Sequence, residues 1–491
     1  MKRWTMALGA ACLAACLTGC GARPEPRPAL PQTAPARDDA ALRAAVDAYY
    51  TAADPAAMRA AVDAARAAGP ETALHHEIAA DLALFEDRRP DVFAHLVQAL
   101  LDRAADAPVI YLHALGALDW TLAERDRMVG LLATLRADHP DPETRAYAAW
   151  MAAHALHYAG DFAGRDAALA EVGIRLPLAV IGPFDNDQGK GFDAEQPPER
   201  AVDLQARHPG QLVELGWRTD YPLDPRGKID LAAILHPYNW QVACAAAGIQ
   251  VATAGRYELR IGTSDPVKVW VDEQLVFEGR RLGKWLFDGL VIPVELRAGV
   301  NRVLVKSAQE TGTWLLVARV TGPGGAPLAP GAITPVAADT PITPAATPVA
   351  ATSDERMIAA RVARLPEGPR REFLAAVWAD DMGLRAPAAA HAEKYHRAHP
   401  TSLPGRYRLA MALWDNEERG RTADLLNALT AEAGAALPLI ELKQARFWRQ
   451  QKLDQKARAL LVAARARHPD RPGAARARRS ARGRGMARGA L

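Results

Sequence analysis

The densest set of oxygen ligands in the chain is Asp185-Asn186-Asp187-Gln188-Gly189, followed by Asp193 and Glu195. Carboxylates at alternate positions in a glycine-bearing loop are what a hard cation such as Ca²⁺ requires. Asp185, Asp187, Asp193 and Glu195 therefore form a candidate cation loop. The spacing departs from an EF-hand, because Gly189 falls one place early and no glutamate stands at the twelfth position. A solvated turn between two structural regions accounts for the same residues. The stretch that follows is rich in aromatics: Trp217, Tyr221, Tyr238, Trp240, Trp270, Trp285 and Trp314. Sugar rings stack on exposed aromatic faces, which makes Trp270 and Trp285 a candidate ligand platform. Trp270 shares parity with Lys268 and Asp272, while Val267, Val269 and Val271 occupy the opposite face of a strand. If the valines face a core, Trp270 faces outward, to a ligand or to a covering domain. Cys244 lies in the apolar run Val242-Ala243-Cys244-Ala245 with no polarising neighbour, the setting of an inert buried thiol. His75-His76-Glu77 lacks the second histidine of a zinc-protease helix. His154 and His157 are one turn apart, a spacing that serves a shared metal or ordinary helix packing. His396, His399 and His468 fall near expected helix C-termini, where they suit the dipole. No transition-metal site and no catalytic residue is assigned: the sequence holds no phosphate loop, nucleophile elbow or dinucleotide fingerprint.

The elements that would position these residues change along the chain. Residues 38–177 have helical spacing, with Leu42, Val46 and Tyr49 or Tyr50 on one face. Asp54-Pro55 and Gly69-Pro70 punctuate the helices, and Asp141-Pro142-Glu143 predicts a helix start. Residues 178–322 alternate with a period of two and carry frequent turns. Tyr257–Ile261, Val267–Asp272, Val291–Leu296, Val300–Lys306 and Trp314–Val320 predict strands, and several short strands in series indicate a β-sandwich. Residues 323–353 are rich in Pro, Thr and Ala, with Asp339 as the one charge between 326 and 353, and predict a linker. Helical spacing returns over 354–470. Residues 471–491 hold seven arginines and no acid, and lack apolar periodicity; they predict a disordered tail.

The formal net charge of +3 falls to +1 without Lys2 and Arg3, and the folded part, without the arginine tail, is acidic at −6. This excludes nucleic acid as the natural partner. Of the four cysteines, Cys12, Cys16 and Cys20 lie in the first twenty residues and Cys244 stands alone, so no internal disulfide is expected.

Met1-Lys2-Arg3, the apolar run Met6–Leu17 and Leu17-Thr18-Gly19-Cys20 make up a leader too short to span a bilayer. The last four residues resemble the lipobox of bacterial lipoproteins. That resemblance implies a signal peptide at 1–19, lipidation of Cys20 and a Pro-rich tether at 20–37. Gly21-Ala22 after the cysteine resembles outer-membrane sorting, with the body at the cell surface or outer membrane. Ala148–Glu171 resembles a tetratricopeptide (TPR) hairpin turned at Gly160-Asp161-Phe162. His399-Pro400 and His468-Pro469 are 69 residues apart, close to two such periods. Leu178–Asn186, Gly191-Phe192 and Pro197-Pro198-Glu199 resemble a module of bacterial lipoproteins that sets TPR helices around a galactose-binding or PA14-like sandwich. Ile261–Asp265, Val267–Asp272 and Leu296–Lys306 resemble the same sandwich. PA14-like sugar binders use paired aspartates for calcium, and Pro266 stands where the second would be. Such chains often continue into a transglutaminase-like papain-fold domain, a pattern that does not follow residue 470, and the arginine tail reads as the shortened end of a longer parent.

The expected architecture is multidomain α + β: TPR-like α-solenoid segments flanking an antiparallel, jelly-roll-like β-sandwich, as three folded parts in series. The expected role is non-catalytic binding of envelope proteins or peptides through the helices. Glycan binding by the sandwich, or service as the regulatory half of a transglutaminase-like enzyme, are the alternatives. Calcium is the one cofactor expectation.

Overall fold

The computed structural model describes residues 40–467, apart from 119–120, 211–212, 281–284 and 343–350. The expected signal peptide, Cys20, the tether and the arginine tail lie outside these residues. Eight helices come first: α1 (Ala40–Thr51), α2 (Pro55–Ala67), α3 (Ala73–Phe85), α4 (Arg89–Leu101), α5 (Pro108–Gly116), α6 (Leu122–Asp138), α7 (Pro142–Tyr158) and α8 (Phe162–Glu171). Their starts are written locally. Asp54 and Asp141 each accept from a backbone N–H three residues on, and each precedes a proline in the first turn. Thr121 and Glu124 close a capping box on α6. These side chains satisfy N–H groups that a helix start leaves unpaired.

The central region holds two sheets. The first runs β1 (Ile174–Arg175), β12 (Leu315–Thr321), β7 (Gly255–Thr263), β10 (Leu290–Leu296), with β5 (Ile229–Asp230) also on β12. The second runs β13 (Ile333–Val336), β6 (Gln241–Val251), β11 (Gly299–Gln309), β8 (Val267–Val271), β9 (Gln274–Gly279), β14 (Thr352–Ser353). All pairs are antiparallel except β14 with β9. β2 (Ala179–Asp185) lies on the same side of β6 as β13, β2 against 241–246 and β13 against 248–251. A separate hairpin joins β3 (His208–Pro209) to β4 (Glu214–Leu215), and two short helices, α9 (Pro197–Arg200) and α10 (Leu231–Ile234), lie in the connections. Alternation decides which face is buried. Val267, Val269 and Val271 share a core with Leu259, Ile261, Leu290, Ile292, Val303 and Val305 of both sheets. The opposite face of the second sheet carries Val242, Cys244, Ala246, Leu304 and Trp270, and residues from the 186–217 excursion cover it. Because β6 is covered on both faces, every residue from Gln241 to Ile249 is buried.

Part of the stretch expected to be a linker is built into this sheet. Ile333–Val336 pairs with β6 and Thr352–Ser353 with β9. Pro335 is tolerated there because, among the described residues, β13 has no strand partner on its other side, so no ladder bond is lost.

Seven helices follow: α11 (Asp354–Val362), α12 (Pro369–Asp381), α13 (Arg385–Ala398), α14 (Leu403–Asp415), α15 (Arg419–Ala433), α16 (Pro438–Gln450) and α17 (Asp454–Arg467). They do not stand apart as the third part of a series. Tyr49, Tyr50, Met58 and Phe85 share one apolar cluster with Leu403, Leu426, Ile440 and Phe447. The Leu403 N–H donates to the Ala52 carbonyl at 2.7 Å, and the Tyr395 and Ser402 hydroxyls both donate to the Tyr50 carbonyl. Arg370 on α12 donates to both carboxylate oxygens of Glu77 on α3, each at 2.7 Å. The two helical regions therefore meet around a common core, and the central sheets pack against them through Tyr147, Trp150, Met357 and Trp378.

Candidate functional site

A groove opens where α5, α7, α11 and α12 meet β7, β10 and the turn before β10. Its two adjoining cavities hold about 140 and 170 Å³. The floor is set by residues that sequence reasoning did not single out. Glu143 lies in the first turn of α7, where a carboxylate suits the helix dipole. Its Oε1 accepts from Arg260 Nη2 at 2.8 Å and its Oε2 from Arg361 Nη1 at 2.5 Å. Arg260, on β7 and 1% exposed, also donates to Asp288 Oδ2 at 3.2 Å, to Thr321 Oγ1 at 3.1 Å and to Glu258. Arg319, on β12 and 2% exposed, donates to both oxygens of Asp288 and to the Val172 carbonyl. Glu258 in turn accepts from the Gly324 and Gly325 N–H groups at 2.8 and 3.0 Å. Taking such charges out of water is costly unless each is paired and hydrogen-bonded, and here the strands, the turn before β10, the connections after α8 and β12, the first turn of α7 and α11 all supply partners. Burial pushes the Glu143 carboxyl up, but Arg361, Arg260 and Arg364 outweigh it and hold the group at about 2. Burial likewise opposes ionisation of Asp288, and Arg319 and Arg260 keep it below the usual carboxylate range. Glu143 is therefore ionised at neutral pH and serves the fold rather than proton transfer.

The mouth differs from the floor. Arg356 and Arg361 project into the groove from α11 and Arg364 from the turn after it, and Arg356 and Arg364 are exposed. The apolar walls are Tyr147, Phe287 and Trp378, with the Arg361 guanidinium 5.1 Å from the Trp378 ring centre. His113 meets Trp378 edge-on at 5.5 Å and faces Asp381 Oδ2 at 3.4 Å. Four arginines against three carboxylates line the 140 Å³ cavity, so the opening favours anions, which arginine binds through two parallel N–H groups.

The residues singled out from sequence are distributed elsewhere. Asp185, Asp187, Asp193 and Glu195 are exposed, and they do not come together as a group of ligands. Asp193 pairs with Arg280 at 2.5 Å and Glu195 with Arg200 at 2.9 Å. The loop is fixed from inside by Asn186, which donates to the Gln309 carbonyl and accepts from the Phe192 N–H. Gly191 packs so closely that a Cβ there would stand 2.0 Å from the Asp185 carbonyl oxygen. Trp270 and Trp285 do not form one platform. Trp270 is half-buried on the outer face of the second sheet, against the excursion that holds Pro198 and Val202. Buried Lys306 pins that excursion by donating to Glu199 Oε1 and the Ala194 carbonyl. Trp285 lies on the helix side, its ring 5.0 Å from Trp150 and 4.7 Å from Lys228 Nζ. Burial pushes the Cys244 thiol up, which leaves it unreactive. His154 packs on Tyr158 and His157 on Phe162, with Arg165 near the His157 ring. His399 closes α13 against Tyr395, and His468 lies outside the described residues.

One cluster needed the fold to become visible. Glu71 precedes α3, His75 and His76 lie in its first turn, and His95 comes from the middle of α4. His76 Nε2 is 3.6 Å from Glu71 Oε2, His75 Nδ1 is 4.0 Å from Glu71 Oε1, and His76 Nδ1 meets His95 Nδ1 at 3.1 Å. His75 is 1% exposed, and among the described residues neither of its ring nitrogens has a hydrogen-bond partner. A buried polar group left so costs about 1–3 kcal/mol. Burial lowers all three imidazoles, His76 to about 4, so each is neutral at pH 7. The adjacent pair His75-His76 was the sequence signal; Glu71 and His95 join it only because α3 and α4 pack as a pair. No protein-family model matches the chain, and neither does any curated protein or solved structure.

Proposed function

We propose that the chain is a non-catalytic binding protein of the bacterial envelope, held to a membrane by lipid on Cys20, and that the groove beside α11 receives an acidic segment of a protein partner. The observation that carries this reading is the separation of charge across the groove. The carboxylates at its floor are already taken up by Arg260, Arg319 and Arg361, while Arg356 and Arg364 stand exposed at the rim, Arg364 reaching Glu143 only at 3.7 Å. Aromatic walls beside exposed arginines match what peptide carboxylates and side chains need. Stacked helix pairs of the TPR type and a jelly-roll-like sandwich are scaffolds that support such concave surfaces. The lipobox-like Leu17-Thr18-Gly19-Cys20 supports the anchor, since two or more acyl chains hold a protein stably at a bilayer.

A photo-reactive residue placed at Ala360, an exposed groove-lining position, tests the groove in cells. The expected crosslinks map to segments rich in Asp and Glu, and are absent when the same residue is placed at the exposed Val462. Crosslinks of equal yield at both positions, or to segments without acidic character, overturn the reading. The anchor is tested separately: labelled fatty acid should appear on the mature chain and be lost in Cys20→Ala.

A further inference from the structure

We propose that Glu71, His75 and His76 bind a divalent transition-metal ion of the zinc class, with His95 as the positioning residue that orients His76. Four observations support the site. First, one ligand atom from each of Glu71, His75 and His76 lies within 4.8 Å of the others. Tetrahedral zinc, with ligand bonds of about 2.0–2.1 Å, sets neighbouring ligand atoms roughly 3.3 Å apart. His76 Nε2 stands 3.6 Å from Glu71 Oε2 and His75 Nδ1 4.0 Å from Glu71 Oε1, so a rotation of the exposed carboxylate and a closing of the ligand atoms from within 4.8 Å complete the sphere. Second, two imidazoles and one carboxylate are a donor set that zinc accepts, with a fourth position left for water. Third, His75 is buried with both nitrogens unpartnered, and a metal at Nδ1 would satisfy one of them. Fourth, His76 is held at its other nitrogen by His95. A metal-bound imidazole is normally oriented by a hydrogen bond at its second nitrogen, which also fixes the tautomer.

The surroundings fit an ion that arrives from solvent. The Glu71 side chain is 52% exposed and its competing partner, Arg66, is a surface contact at 3.9 Å, which is weak. Asp102, at the end of α4, accepts from the Ala73 N–H at 2.8 Å. That bond locks the first turn of α3 against α4, so the histidines are held in place before any ion binds. This site is distinct from the arginine groove, and the outcome of its test does not depend on the partner proposed above.

The test is competition between the full chain and a chromogenic zinc chelator at neutral pH. The chain has 13 histidines, so the variants decide the site. The wild type should bind one equivalent at micromolar free zinc or below. Glu71→Gln, at a half-exposed position that leaves the fold intact by circular dichroism, should weaken binding at least tenfold. His76→Asn should weaken it more, and His95→Gln should cost about 10–100-fold, as loss of an orienting partner does. Cobalt titration supplies an independent readout: the wild type should give the intense visible bands of four-coordinate cobalt, and Glu71→Gln should lose them. Absence of binding by the wild type overturns the proposal. So does binding that Glu71→Gln and His76→Asn leave unchanged, which would place the ion on other histidines.

Discussion

Arg260 is the residue on which the junction between strands and helices turns. It is buried and shared among Glu143, Glu258 and Asp288, so each carboxylate depends on it. Removing one partner from a buried charge network strands the others without solvent. Arg260→Met should therefore destabilise the protein by about 3–5 kcal/mol, measured by urea denaturation. Asp265 behaves in the opposite sense. It is 4% exposed beside Ser264, which donates to it at 2.5 Å. Burial, with a lesser push from Glu310, raises its carboxyl to about 7 against the Ser264 hydrogen bond. A raised acid favours the protonated native state. Its contribution is complete below the unfolded value of about 3.9 and is lost as pH rises through 7. Asp265→Asn removes that loss, so its stability relative to wild type should climb by about 3–4 kcal/mol between pH 4 and 8. A difference that is flat with pH would show that the native carboxyl titrates normally. Neither Arg260 nor Asp265 carries a sequence signal of this role. Arg260 alternates with apolar neighbours as a surface residue of a strand would, and only the docking of α7 and α11 on that face buries it.

Elements with strong local periodicity were legible. The parity of Val267, Val269 and Val271 placed β8 with its valines inward, because one buried face imposes a period of two. Asp141 and Pro142 marked a helix start, and Asp54-Pro55 a break between helices, through capping chemistry that acts within three residues. β13 was not legible: Ile333-Thr334-Pro335-Val336 has the composition of a linker, and its strand is created by the free side of β6 rather than by its own propensity. The meeting of α1–α3 with α12–α16 was equally hidden, because contacts between residues more than 300 positions apart leave no local pattern. The bond between Arg370 and Glu77 fastens that meeting, with Tyr50 and Tyr111 also donating to Glu77. Arg370→Met should cost about 3–5 kcal/mol and speed hydrogen exchange in both α1 and α14. Faster exchange confined to α12 would mean that the two helical regions are held by apolar contacts alone. The metal cluster follows the same logic, since the pairing of α3 with α4 brings His95 to His76.

At the scale of the molecule, the chain reads as helices, sheets, helices in order, yet it folds as regions that share cores. Residues 354–467 supply one half of the cluster around Tyr49, Tyr50 and Phe85. Expressed alone, that segment should expose Leu403, Leu426, Ile440 and Phe447 and fail to give a cooperative thermal transition, as followed by circular dichroism. An independently folded 354–467 would instead support separate units in series. A second shared core, to which α11 contributes Met357, Ile358 and Val362, holds that helix over the central sheets and so creates the arginine rim. Recruitment of an acidic segment by this rim is read out by isothermal titration of a glutamate-rich peptide into the full chain and into Arg356→Glu/Arg364→Glu. Saturable, salt-sensitive binding that the double variant weakens at least tenfold is the predicted result; absence of binding, or equal affinity in both proteins, would contradict it.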